Sequence, residues 1–245
     1  MTSFYRVGYK GPCLYFLHIP RTSGTYIIDN VRSFLLGDGS VDDLNHTAGG
    51  WVFTTGHTGM NPYYQTKSAI NTFAVVRNPY EQILSTASFM AKQHDEIFDN
   101  DFLEKFINRE FASRMKDPLF NGTPNVQTKM LSCRVVGLDG FVMKKRDEPI
   151  ENITFLESDL QKYSSIEEIL GDKTVLCFDN REYIEKWISD TLFSMVGLRM
   201  GRFGGGNVNS ADRHGITLSA EQKRHIRNTS ELDFELYEYS KRISG

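Results

Sequence analysis

The stretch Leu14 to Ile28, LYFLHIPRTSGTYII, constrains the fold more than any other part of the chain. An apolar run meets a turn holding one proline, one glycine, three hydroxyls and an arginine, and then resumes with apolar periodicity. That order predicts strand, anion-binding loop, helix. The first turn of a helix has backbone N–H groups with no intrahelical partner, and its dipole favours negative charge, so phosphate or sulfate groups settle there. The hydroxyls of Thr22, Ser23 and Thr25 would add donors, and Arg21 a fixed positive charge. The pattern is not that of the P-loop kinases: no glycine-lysine-serine or glycine-lysine-threonine triplet follows, and the basic residue precedes the lone Gly24.

A second strand-turn-helix is written in Thr72 to Ser88, TFAVVRNPYEQILSTAS. The apolar run ends at Arg77. Asn78 can cap, Pro79 suits the first helical position, and Glu81 completes a capping box. Those features leave Arg77 unexplained. At the carboxyl edge of a strand an arginine presents a planar fork to a phosphate, and Ser85 adds a hydroxyl from about two turns into the helix. A surface ion pair is the plainer use of the same arginine.

Between these segments Trp51 to Thr55 reads as a strand ending in Gly56-His57. In an open α/β sheet the ligand lies beyond the carboxyl ends of the strands, where both loops emerge. A histidine there, with an unperturbed pKa of about 6.5, can accept a proton from an alcohol at neutral pH.

HIPRTSGT resembles the 5′-phosphosulfate-binding loop of the sulfotransferases, in particular the carbohydrate type, whose loop reads His-Ile-Pro-Lys-Thr-Gly-Gly-Thr. This chain carries Arg21 where lysine is usual, and Ser23 where the residue is smaller. Arg77 and Ser85, eight residues apart, are similar to that family's second cofactor motif, a strand ending in Arg-Asp-Pro or Arg-Asn-Pro with a serine eight residues on. The two motifs stand in the family's order, about fifty residues apart.

The resemblance implies a fold and a site. The fold would be one α/β domain over residues 1–245, P-loop-like, with three α/β/α layers, a central, mainly parallel sheet and C-terminal helices. The donor would be 3′-phosphoadenosine 5′-phosphosulfate (PAPS), leaving 3′-phosphoadenosine 5′-phosphate (PAP), with no metal. Arg21, Thr22, Ser23, Gly24, Thr25 and Tyr26 would surround the 5′ end of the nucleotide, and Arg77 and Ser85 the 3′-phosphate. His57 would be the general base and Arg21 the catalytic cation, able to donate charge and hydrogen bonds but not its proton.

Two further segments gain roles by the same resemblance. Asn125 to Cys133 is similar to a family helix, Asn-x-Gln-Thr-Arg-x-Leu, on the acceptor side, which makes Asn125, Gln127 and Lys129 substrate candidates. The glycine-rich loop Arg202 to Gly215 is similar to one that closes over the nucleotide, offering Asn207, Asn209, Ser210 and Arg213. Asp233-x-x-Leu236-Tyr237 matches a structural C-terminal helix. The acceptor would be a hydroxyl on a carbohydrate or other small glycoconjugate. A P-loop nucleotide or sugar kinase, and a binding module that has lost catalysis, remain as alternatives.

The rest of the chain reads as scaffold. Asp101 to Lys116 predicts an amphipathic helix with Phe102, Phe106, Phe111 and Met115 on its apolar face. Ile153 to Glu157 and Thr174 to Phe178 predict short strands around one short helix. A longer helix is expected over Arg181 to Val196, and two terminal helices from Ser219 and over Leu232 to Ile243. Lys and Arg number 28 against 31 Asp and Glu, a balance that argues against a general nucleic-acid binder. Arg199 to Arg227 is a modestly basic segment that could face an anionic ligand. No apolar run has the length of a membrane span, and the N-terminal residues lack a signal-peptide core, so a cytoplasmic protein without a membrane anchor is expected. Cys13, Cys133 and Cys177 are odd in number and flanked by apolar residues, as buried free thiols would be. No Cys or His pair has metal-ligand spacing.

Overall fold

The computed structural model describes residues 3–7, 11–37, 49–56, 70–112, 121–133, 135–136, 154–197, 199–204 and 215–245. Its main sheet is built from β1 (Ser3–Val7), β2 (Cys13–Leu17), β3 (Gly49–Gly56), β4 (Ile70–Val76) and β7 (Thr174–Cys177) in the order β1-β3-β2-β4-β7. β2 runs parallel to both β3 and β4, and β4 parallel to β7; β1 closes one edge antiparallel to β3. That edge strand was not foreseen from the residue pattern. A small antiparallel pair, β5 (Val135–Val136) with β6 (Thr154–Phe155), stands apart from it. This is an α/β fold with a mainly parallel central sheet flanked by helices, consistent with three α/β/α layers.

Alternation along the central strands decides what packs where. Leu14, Phe16, Phe73, Val75 and Leu176 face α1 (Gly24–Gly37) and α6 (Arg181–Val196), meeting Ile27, Val31, Leu35, Ile184, Ile188 and Leu192. Tyr15, Leu17, Ala74, Val76 and Val175 face the other way. They bury against α4 (Val126–Ser132), α5 (Ile166–Leu170) and α8 (Glu231–Ser244). Phe16 stacks on Phe73 at 4.8 Å between ring centroids. Each such fully buried apolar side chain contributes about 1.5–3 kcal/mol. Both faces of the sheet are therefore covered, which is why its strands read as continuous apolar runs.

A third cluster joins α2 (Pro79–Gln93), α3 (Asn100–Ile107), α7 (Ala220–Thr229) and α8 through Leu84, Phe102, Phe106, Ile226 and Phe234. α3 is shorter than its pattern predicts. It stops at Ile107, and Arg109 then takes a φ of +59°. Phe111 nevertheless packs on Phe102, at 4.9 Å, so the expected apolar face is assembled by a turn rather than by helix; Met115 lies outside the described residues. α6 has the predicted bounds, from the Asn180 cap to Gly197 in the left-handed region, and α7 has the predicted Ser219–Gln222 capping box. The three cysteines are buried free thiols, and burial pushes the Cys13 thiol up to about 12. Among the described residues no helix is long and apolar enough to cross a membrane.

Strand order reverses at β2, which has β3 on one side and β4 on the other. In open α/β sheets a crevice opens at such a point, beyond the carboxyl ends of the strands. The loops after β2 and β4 carry Arg21 and Arg77 there.

Candidate functional site

The loop after β2 is held in a strained form. Arg21 has φ +66° and Ser23 φ +75°, a region that costs a residue with a Cβ on the order of 1–3 kcal/mol. The first bond of α1 runs from the Ile27 N–H to the Ser23 carbonyl, 3.1 Å, so the loop delivers the helix N-terminus to the crevice. Gly24 is required by contact: a Cβ there would lie 1.7 Å from His18 Nε2. His18 in turn stacks on Phe16 and donates its backbone N–H to the Gly56 carbonyl at 2.8 Å. The ends of β2 and β3 are thus tied together at the residue preceding His57. His57 itself lies outside the described residues.

The hydroxyls do not all face the crevice. Thr22 is fully buried and donates to the Ile19 carbonyl at 2.7 Å, so it fastens the loop from within. Ser23 is half-buried and Thr25 exposed. Tyr26 points toward α6: its hydroxyl donates to Glu185 Oε1 at 2.8 Å. Burial first, and then this carboxylate, push the phenol up to about 12, so it remains a neutral donor at physiological pH.

The two arginine loops meet. Arg21 Nε donates to Ser85 Oγ at 3.1 Å, and the Arg21 guanidinium lies over the Phe89 ring at 4.9 Å. Arg77 Nη1 donates to the Arg21 carbonyl at 3.3 Å, and Nη2 reaches Glu81 Oε2 at 3.4 Å. Glu81 is therefore directed at Arg77, while Asn78 accepts from the Tyr80 N–H at 3.0 Å. The expected reciprocal capping box gives way to a single cap and an ion pair.

A third arginine stands on the same edge, and the sequence had marked its segment only as scaffold. Arg77 lies over Phe178 at 4.5 Å, and Arg181, the first residue of α6, lies 5.6 Å from the rings of both Phe178 and Tyr26. Adjacent strands β2, β4 and β7 each deliver one arginine just past their carboxyl ends. Only strand order reveals this, because the residues sit 56 and 104 positions apart in the chain. An edge with three guanidiniums and a helix N-terminus suits a ligand with several negative charges.

The acceptor-side candidates are engaged within the protein. Gln127 is fully buried; its Oε1 accepts from the Arg77 N–H and its Nε2 donates to the Arg77 carbonyl, both at 2.9 Å. Lys129 is buried and pairs with Glu157 Oε1 at 2.6 Å. Asn125 bridges the Thr229 carbonyl and the Asp233 N–H. Gln127 and Lys129 sit on α4, every residue of which is buried, with half-buried Asn125 just before it, so Gln127 reaches the site through Arg77. Asn207, Asn209, Ser210 and Arg213 lie outside the described residues.

No protein-family model matches the chain, and a search of curated proteins finds no significant match.

Proposed function

We propose that the protein is a sulfotransferase of P-loop-like fold that takes PAPS as donor and moves its sulfuryl group to a hydroxyl of a carbohydrate or glycoconjugate. The contact between Arg21 and Ser85 carries this reading. It unites the two loops that resemble the family's 5′ and 3′ cofactor motifs, across 64 residues of sequence, at the sheet edge where α/β proteins bind ligands. The donor set fits the group: PAPS is a compact polyanion, and three arginines with a helix N-terminus supply matching charge and directed N–H donors.

The bound donor supplies an activated sulfuryl group. In this reading Arg77 and Ser85 hold the 3′-phosphate, with Arg181 beside Arg77 through Phe178. Arg21 and the first-turn amides of α1 bear on the 5′ end, where negative charge grows as the nucleotide departs. Positioning of this kind does most of the work in phosphoryl transfer, and sulfuryl transfer poses the same problem. His57 takes the acceptor's proton.

The test is metal-free calorimetric titration with PAP, beside ATP with magnesium, on the wild type, Arg77→Ala and His57→Ala. The expected result is PAP binding that Arg77→Ala weakens and His57→Ala spares. A folded protein that binds ATP with magnesium and ignores PAP would sink the reading.

A further inference from the structure

α4 is a seven-residue helix whose own N-cap residue, Asn125, takes φ +54° and makes no side-chain cap. A helix this short has little stability of its own, and its first N–H groups need acceptors. They find one on another helix. Asp233, the third residue of α8, accepts from the Thr128 N–H at 2.8 Å and the Thr128 hydroxyl at 2.7 Å through Oδ1, and from the Gln127 N–H at 3.2 Å through Oδ2. Its own N–H donates to Asn125 Oδ1 at 3.1 Å. Asp233 is 2% exposed, so the cap is buried between the two helices.

The capped turn has a consequence at the crevice. Gln127 begins there, and its side-chain amide grips both the N–H and the carbonyl of Arg77, as a neighbouring strand would. The Arg77 peptide groups are thereby held, which sets where its side chain starts, and its guanidinium reaches the Arg21 carbonyl, Glu81 and the face of Phe178. We propose that Asp233 is a positioning residue for the anion site, setting Arg77 through the N-terminus of α4 and the Gln127 amide. This rests on Arg77 as an anion contact, but the chain of hydrogen bonds can be tested without any ligand.

Asparagine at position 233 keeps the shape and replaces one acceptor oxygen by a donor, which then faces the Gln127 or Thr128 N–H. The experiment is amide hydrogen exchange at Arg77, read by NMR with Val75 of the preceding β4 as reference, on wild type, Asp233→Asn, Gln127→Ala and the double variant. The same four proteins are titrated with PAP. Asp233→Asn is expected to speed Arg77 exchange relative to Val75 and to weaken PAP, each about tenfold, the scale of one charge-assisted hydrogen bond. In the Gln127→Ala background it should add nothing to either effect, since the transmitting amide is gone. Unchanged Arg77 exchange in Asp233→Asn would overturn the proposal, as would penalties that simply add. If the wild type does not bind PAP, the donor assignment fails, and the exchange arm still decides the role of Asp233. Should Asp233→Asn not fold, Thr128→Val removes one of the three donors and answers by the same exchange ratio: raised in support, unchanged in refutation.

Discussion

Arg21 Nε donates to Ser85 Oγ across 3.1 Å, joining the loop after β2 to the second turn of α2. Ser85 is 3% exposed; its hydroxyl oxygen accepts from Arg21, which leaves the hydroxyl proton for another acceptor. Ser85→Ala should weaken PAP about tenfold by removing a donor and loosening Arg21 at once. Arg21→Lys should keep binding and some turnover, since charge is retained while the fork is lost. Calorimetry on both variants decides: complete loss of binding in Arg21→Lys would mean that the bidentate geometry is indispensable.

Ser23 occupies a backbone conformation that favours glycine, with φ +75°. Ser23→Gly relieves this strain and raises the entropy of the unfolded chain, for a net gain of about 0.5–1 kcal/mol. The melting temperature should rise by about 1–4 °C. A fall would show that the Ser23 side chain contributes more than its conformation costs.

Gly24→Ala places a methyl group 1.7 Å from His18 Nε2. The ring must leave its place over Phe16, so the loop is expected to shift, with reduced melting temperature and loss of PAP binding. The double variant His18→Ala, Gly24→Ala removes the obstacle and should recover much of the melting temperature. Equal damage in single and double variants would place the effect elsewhere.

Arg181→Ala should weaken PAP and flatten the dependence of affinity on salt, because one of three cations on the sheet edge is removed. Arg199, which lies over Phe193 on the far part of the α6 region, serves as the control. Arg199→Ala should leave affinity and salt dependence as they are, and equal effects from the two would refute a local role for Arg181.

Burial pushes the Asp233 carboxyl up to about 6, against the opposing pull of the three donors and Lys129. An unfolded chain releases the same proton at about pH 3.9. Between these values the folded state binds more protons, so stability contributed by this group falls as pH rises through the window and is level above it. The stability of the wild type relative to Asp233→Asn, from denaturant titrations at pH 4 to 8, should therefore decline toward about pH 6 and then hold. A difference that grows with pH would show that the three hydrogen bonds outweigh desolvation.

The sequence determined the local joints. The apolar runs of β2 and β4, the proline and asparagine opening α2, and the periodicity of α6 depend on neighbours in the chain, and they were legible with their bounds nearly intact. So was the placement of Arg21 and Arg77 past the ends of β2 and β4, of Gly24 at the start of α1 and of Ser85 in the second turn of α2.

Tertiary structure decided the partners. β1 has no strong pattern of its own and exists by pairing with β3. The segment of α4 offered substrate candidates by resemblance, but its buried polar groups are engaged within the protein, with Asp233 of α8 accepting from the N–H groups of Gln127 and Thr128, and Arg181 joined Arg77 only when strand order set β7 beside β4. Helix and strand signals are carried by residues a few positions apart. Hydrogen bonds such as that of Gln127 with Arg77, or of Thr128 with Asp233, join residues with no short-range pattern, and only the packing of sheet and helices selects them.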